Sequence, residues 1–142
     1  MRLRLPSEID GLIPTVASPV SLDIESMDFF DVPINRLAIL RRESNRCFYC
    51  LRTIDGATYV IEHVTSRPEG SNSYRNVVAA CRACNNRKGA TAAMDFLRGL
   101  YREGLLSAEE LQSRSDALGQ LRNGELQPTF PAVVSGATGL AV

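Results

Sequence analysis

Tryptophan is absent from this chain of 142 residues, and aromatic side chains make up only 6% of it. A core built from such a sequence is mainly aliphatic, drawn from an ordinary apolar content of 44%. No apolar run reaches the ~18 residues that a membrane-spanning helix needs, so no membrane role is expected. The opening Met1-Arg2-Leu3-Arg4-Leu5 meets Pro6-Ser7-Glu8 too early for a secretory signal, which makes a cytoplasmic location the expectation. Internal repeats are also missing. Histidine occurs once, at His63, and all four cysteines lie between Cys47 and Cys84. In a reducing compartment, paired cysteines more often hold a metal than a disulfide.

Net charge is zero, but it is unevenly spread. Residues 1–40 carry 3 basic and 6 acidic side chains, residues 41–102 carry 11 and 5, and residues 103–142 carry 2 and 5. The basic excess coincides with the cysteine block. A polyanion partner fits there, because phosphate neutralisation drives most non-specific nucleic-acid binding. A solvated basic face is the plainer alternative.

The chain divides into three parts. Residues 1–33 are expected to be irregular, with Pro6, Pro14, Pro19 and Pro33 recurring and short apolar bits such as Leu12-Ile13 and Val16. They form a candidate docking arm. Residues 34–103 form the central domain. Ile34–Ser44 reads as a helix with Ile34, Leu37, Ala38 and Arg41 at helical spacing. Asp55-Gly56 is a turn signal suited to a hairpin. Residues 58–64 are rich in β-branched side chains and read as a strand, and residues 66–73 read as a loop. Val77–Ala80 is either a second strand or the lead into the second cysteine pair. A helix is expected near Cys81–Cys84. Another follows Gly89, with Thr91 as N-cap and Ala93, Leu97, Leu100 and Tyr101 on one face. Residues 104–142 hold a final helix opened by the capping box Ser107-Ala108-Glu109-Glu110 and running to about Asn123-Gly124, with Leu111, Leu118 and Leu121 inward. A small, apolar tail follows Pro128.

Two C-x2-C pairs, Cys47/Cys50 and Cys81/Cys84, can supply four thiolates in the tetrahedral arrangement of a closed structural Zn2+ site. The segment between them is longer than a simple zinc ribbon requires, and it contains Glu62-His63. A strand alternates its faces, so these neighbours point in opposite directions. Glu62 is a hard oxygen ligand suited to a divalent cation such as Mg2+. Histidine is the side chain whose unperturbed charge change falls near neutrality, so His63 can take a proton from water. A lone histidine is also common as a structural residue. Asn85 offers a carbonyl oxygen to a metal, and Arg87 and Lys88 offer donors to phosphate. A polar helix start broken by Gly89 would have the same spacing.

Arg46-Cys47-Phe48-Tyr49-Cys50, Ile61-Glu62-His63-Val64, Asn76-Val77-Val78 and Cys81-x-x-Cys84-Asn85-x-x-Lys88 together resemble the HNH endonucleases. The resemblance covers about residues 41–90. It implies an α+β fold: a small ββα-metal (HNH, His-Me finger) core clamped by a four-cysteine zinc site, with flanking helices. It implies that His63 is the general base and that Glu62 and Asn85 hold a catalytic Mg2+ or Mn2+. Asn76 braces the loop and orients His63 by hydrogen bonding, and Lys88 with Arg67, Arg75, Arg82 and Arg87 contacts the nucleic acid. Glu62 stands where many relatives have Asp, Asn85 stands in place of a His, and the loop after Val64 lacks a common Gly-Gly pair.

The implied activity is hydrolysis of a phosphodiester, in double-stranded DNA rather than RNA. By analogy with bacterial antiviral-defence and mobile-element nucleases, the acidic ends are expected to bind a partner protein or a second copy of the chain. The rival reading is a non-catalytic zinc module that binds nucleic acid or protein. It keeps the cysteines and the basic patch but needs no convergence of Glu62, His63 and Asn85.

Overall fold

The computed structural model describes residues 23–131. The proline-spaced arm at 1–22, with Leu12-Ile13 and Val16, and most of the tail after Pro128 lie outside the described residues. Within them the order is helix α1 (Pro33–Arg42), strands β1 (Val60–His63) and β2 (Val77–Ala80), and helices α2 (Arg82–Lys88), α3 (Ala93–Arg102) and α4 (Ala108–Arg122). None of these helices is long and apolar enough to cross a membrane.

The centre is a two-stranded antiparallel sheet followed directly by a helix, the ββα arrangement. Glu62 pairs with Val78 and His63 with Val77. All four β2 residues are buried. One reason is that β2 is covered by α1, while β1 packs against α2. The observed β1 is shorter than the expected 58–64, because Thr58 and Tyr59 donate to the Asp55 carbonyl and are held in a turn. That turn at Asp55-Gly56 does not join two ladder strands. The chain reversal is made instead by the Cys47–Cys50 knuckle, across which Arg46 bridges Thr53.

Helix α1 begins at Pro33, whose fixed φ and missing N–H suit a first helical position. It ends at Arg42, because Ser44 and Asn45 take left-handed φ values of 57° and 59°. Its buried face is Asn35, Ala38, Ile39 and Leu40, whereas Ile34 is 54% exposed. The buried face is therefore rotated from the expected one. Polar anchors choose the orientation: Asn35 Nδ2 donates to the Asp28 carbonyl, and Arg42 donates to the carbonyls of Tyr74, Val77 and Leu126.

Helices α3 and α4 pack together. Ala92, not Thr91, is the N-cap of α3, since the Thr91 N–H donates to the Lys88 carbonyl. Ala93, Leu97 and Leu100 are buried as expected, but Tyr101 is 44% exposed and the inward position is taken by Phe96. The Ser107–Glu110 capping box opens α4, with Leu118 and Leu121 buried and Leu111 half-buried.

Residues 23–32 run as a strap over the domain. The Phe29 side chain is fully buried, edge-on to Tyr74, and Phe130 from the returning C-terminal segment packs beside it. Glu25 accepts from Tyr74 and Arg75.

Candidate active site and metal centre

The four cysteines are free thiols whose Sγ atoms lie within 4.8 Å of one another. Four sulfurs at ~2.3 Å from a common centre would be about 3.8 Å apart, and Cys50 and Cys81 are already 3.9 Å apart, so a small inward movement of the cluster fits a tetrahedral ion. It is the single such His/Cys/Asp/Glu group among the described residues. Donors already point at the sulfurs. The N–H of Cys50 donates to Cys47 Sγ, that of Cys84 to Cys81 Sγ, and Arg52 Nε to Cys50 Sγ. The cluster divides its protons unequally. Cys47 is pushed up to about 11, chiefly by its hydrogen bond with Cys50, and Cys84 is pushed up by Cys47 and Cys50. Cys50 is pulled down by its bonds from Cys47, Cys84 and, less strongly, Arg52. Cys81 has a second job as N-cap of α2, so the same residue ends the sheet, starts the helix and joins the cluster.

β1 delivers Glu62 and His63 to one open cleft of about 280 Å³, lined also by Phe30, Ile61, Ser66, Arg67 and Asn85. Glu62 is buried beneath it. Its Oε2 accepts from the Tyr49 hydroxyl and its Oε1 from Lys88 Nζ at 2.9 Å. Burial, and then the charge of Glu62, hold the Tyr49 phenol well above its ordinary range, so Tyr49 is a fixed donor. Each carboxylate oxygen accepts one bond and has a lone pair left for a cation. The Asn85 side chain makes no hydrogen bond within the described residues and faces the same cleft. Glu62 and Asn85 are thus the oxygen donors this cleft offers a hard divalent ion, with the Lys88 ammonium already on Glu62 Oε1.

His63 is held from two sides. Its Nε2 lies 2.8 Å from Asn72 Oδ1, and the Phe30 ring stacks on the imidazole with centroids 4.2 Å apart. Arg36 in turn lies over Phe30. Asn72 is itself fixed, since its Nδ2 donates to Asp28 Oδ2 and its backbone carbonyl accepts from the Phe29 N–H. Partial burial pushes the Asp28 carboxyl up, but the N–H groups of Asp31 and Phe30 and the Asn72 amide outweigh it. The net effect is a carboxyl below its ordinary range.

Several expected contacts are revised. Asn76 braces the loop, accepting from the Thr65 N–H and donating to the Thr65 and Ser71 carbonyls. It does not orient His63, whose hydrogen-bond partner is Asn72. Lys88 is only 1% exposed and cannot reach a phosphate, because its ammonium is spent on Glu62 and the Val64 carbonyl. Arg75 pairs with Glu25 and Arg87 with Glu103, but both pairs are solvent-exposed, so neither arginine is withdrawn from an anion. Arg67 lies on the cleft rim and Arg82 is exposed, and neither has an acidic partner among the described residues.

Residues 47–91 match the HNH endonuclease family. The matched segment contains both cysteine pairs, Glu62, His63, Asn76 and Asn85. Among solved structures, the chain is similar to the crystal structure of the Type II-C Cas9 enzyme from Actinomyces naeslundii. The identity is 25%, over 61% of this chain and 11% of that chain, with a TM-score of 0.40. The chain thus spans about a tenth of that protein's length. No curated protein matches it.

The strap residues Asp28 and Phe30 and the loop residue Asn72 lie around His63 although no sequence signal marks them. Asp28 and Phe30 lie outside the matched segment altogether. A Phe-Phe pair and an Asn in a polar loop carry no local pattern that points to a distant imidazole.

Proposed function

We propose that this protein is a metal-dependent endonuclease that hydrolyses phosphodiester bonds, with double-stranded DNA as its substrate. The observation that carries the reading is that Glu62, His63 and Asn85 line one cleft within a segment matching the HNH endonucleases. The resemblance favours DNA over RNA, and the basic excess of residues 41–102 suits either polyanion.

In this mechanism the phosphodiester enters the open cleft, drawn by Arg67 on the rim and by exposed Arg82. His63 takes a proton from water, the water oxygen attacks phosphorus, and the P–O bond to the leaving nucleoside oxygen breaks. Phe30 covers one face of the imidazole and limits its rotation. Glu62 and Asn85 would hold Mg2+ or Mn2+, which when bound supplies positive charge to the phosphate and the leaving oxygen. Lys88 and Tyr49 keep the Glu62 carboxylate oriented. Cys47, Cys50, Cys81 and Cys84 would hold a structural Zn2+ that joins the knuckle to the start of α2.

The second reading, a non-catalytic zinc module, draws on the pairing of Glu62 with Lys88, which already neutralises the carboxylate. A cleavage assay on supercoiled and linear DNA and on RNA, with Mg2+ or Mn2+ and with EDTA, separates the two. Cleavage that needs the cation and is lost in His63→Ala supports the nuclease. Tight DNA binding with no cleavage under any metal leaves the binding module.

A further inference from the structure

We infer that Asp28 and Asn72 form a tautomer lock on His63, holding the proton on Nε2 and leaving Nδ1 as the nitrogen that accepts a proton. The role assigned to Nδ1 rests on the nuclease reading; the lock itself does not.

The chain of contacts starts at Asp28, distant from His63 in sequence and one side chain removed from the imidazole. Asp28 Oδ1 accepts from the N–H groups of Phe30 and Asp31, so this carboxylate is fixed by its own turn. Its other oxygen, Oδ2, faces the Asn72 side chain at 3.2 Å. An ionised carboxylate can only accept, so the Asn72 atom facing it must be the donor Nδ2. Asp31 Oδ2, 3.4 Å from the same nitrogen, imposes the same choice. Oδ1 of Asn72 is then turned to His63. Oδ1 can only accept, and it lies 2.8 Å from Nε2, so Nε2 must carry the proton. Each step follows from which groups can donate, and an ambiguous amide and an ambiguous imidazole are both resolved by the carboxylates of Asp28 and Asp31. No hydrogen bond to Nδ1 occurs among the described residues.

The lock spans the fold. His63 ends β1, Asn72 lies in the loop before β2, and Asp28 belongs to the strap ahead of α1. Asn72 and Asp28 are positioning residues, acting through His63. The strap therefore adds a part of the site that residues 47–91 lack.

His63 is the only histidine, so 15N-detected NMR of the full chain reports one imidazole without assignment ambiguity. A free imidazole already favours the Nε2–H tautomer, so the variants decide. In Asp28→Asn/Asp31→Asn, donors replace acceptors beside Asn72, and its amide should turn over and present Nδ2 to His63. The neutral imidazole should then shift towards Nδ1–H. A folded double variant that keeps the wild-type tautomer ratio overturns the lock.

Asn72→Ala gives a second reading that needs no carboxylate change. The His63 Nε2–H should exchange with water at least about tenfold faster than in wild type, and an unchanged rate overturns the lock. In the cleavage assay, the double variant should lose on the order of 10²-fold in kcat, the scale of losing a general base, with KM little changed. Wild-type kcat in a double variant whose tautomer has reversed would overturn the assignment of Nδ1 as base. If the wild-type protein does not cleave at all, the nuclease reading falls and the NMR measurements still decide the lock.

Discussion

Lys88 Nζ lies 2.9 Å from Glu62 Oε1, and the two side chains are 0% and 6% exposed. A buried ion pair adds little net stability relative to apolar residues, but removing one partner strands the other charge. Lys88→Met should destabilise the protein by roughly 3–5 kcal/mol, and Glu62→Gln/Lys88→Met should recover much of that. Denaturant midpoints of the two single variants and the double variant test this. Equal losses for Lys88→Met alone and for the pair would show that the charge pairing is not what holds these residues.

His63→Ala should lower cleavage by ~10²–10⁴. The imidazole is only half-buried, so the thermal midpoint should move little. Glu62→Ala is a poorer test of the metal, because it also abandons Lys88 and Tyr49 in the interior. Asn85→Ala is cleaner. Excess Mn2+ should partly restore cleavage in Asn85→Ala and should restore none in His63→Ala. Rates and midpoints measured on the same preparations distinguish a lost base from a lost fold.

The cysteine cluster should bind one zinc per chain, measured by elemental analysis of protein purified without a metal-binding tag. Chelation, or Cys81→Ser, should cost several kcal/mol of apparent stability, because metal binding and folding are coupled in such units. The ligands must be thiolates, so affinity should fall as pH falls, and acid should release the metal. A disulfide in the folded protein, or full stability with no metal, would reject the site.

Gly70 should tolerate no side chain. A Cβ there would lie 1.8 Å from the Thr65 carbonyl oxygen and 2.5 Å from Asn76 Nδ2. The Gly70 N–H also donates to the Ser66 carbonyl, so the backbone cannot simply move away. Gly70→Ala should destabilise by about 1–3 kcal/mol, as overpacking does. Hydrogen exchange should show the Thr65 amide, which donates to Asn76, losing its protection first.

The parts of this fold that were legible in the sequence are those set by short-range chemistry. Twin C-x2-C pairs, a capping box and a β-branched run each act within a few residues, and the ββα order, the Cys cluster and α4 follow them. Glu62, His63 and Asn85 were legible as candidates because their residue types match the chemistry, and they do line one cleft. What was not legible depends on contacts between distant segments. The orientation of α1 is set by Asp28 and Leu126 carbonyls, which no helical periodicity encodes. Lys88 reads as a surface cation until the buried Glu62 is seen opposite it. Asn76 reads as the partner of His63, but loop geometry assigns it to the backbone of Thr65 and Ser71 and gives the imidazole to Asn72.

Phe29 and Phe30 are successive residues of the strap with separate tasks, one sunk in the core and the other lying on His63. The two rings are therefore mechanically coupled. A movement that uncovers the imidazole by lifting the strap must also draw Phe29 out of its contacts with Tyr74 and Phe130. Exposing a buried phenylalanine side chain costs about 1.5–3 kcal/mol. The uncovered form would accordingly be outnumbered by roughly ten- to a hundredfold, and the strap behaves as a fixed wall of the cleft rather than as a flap.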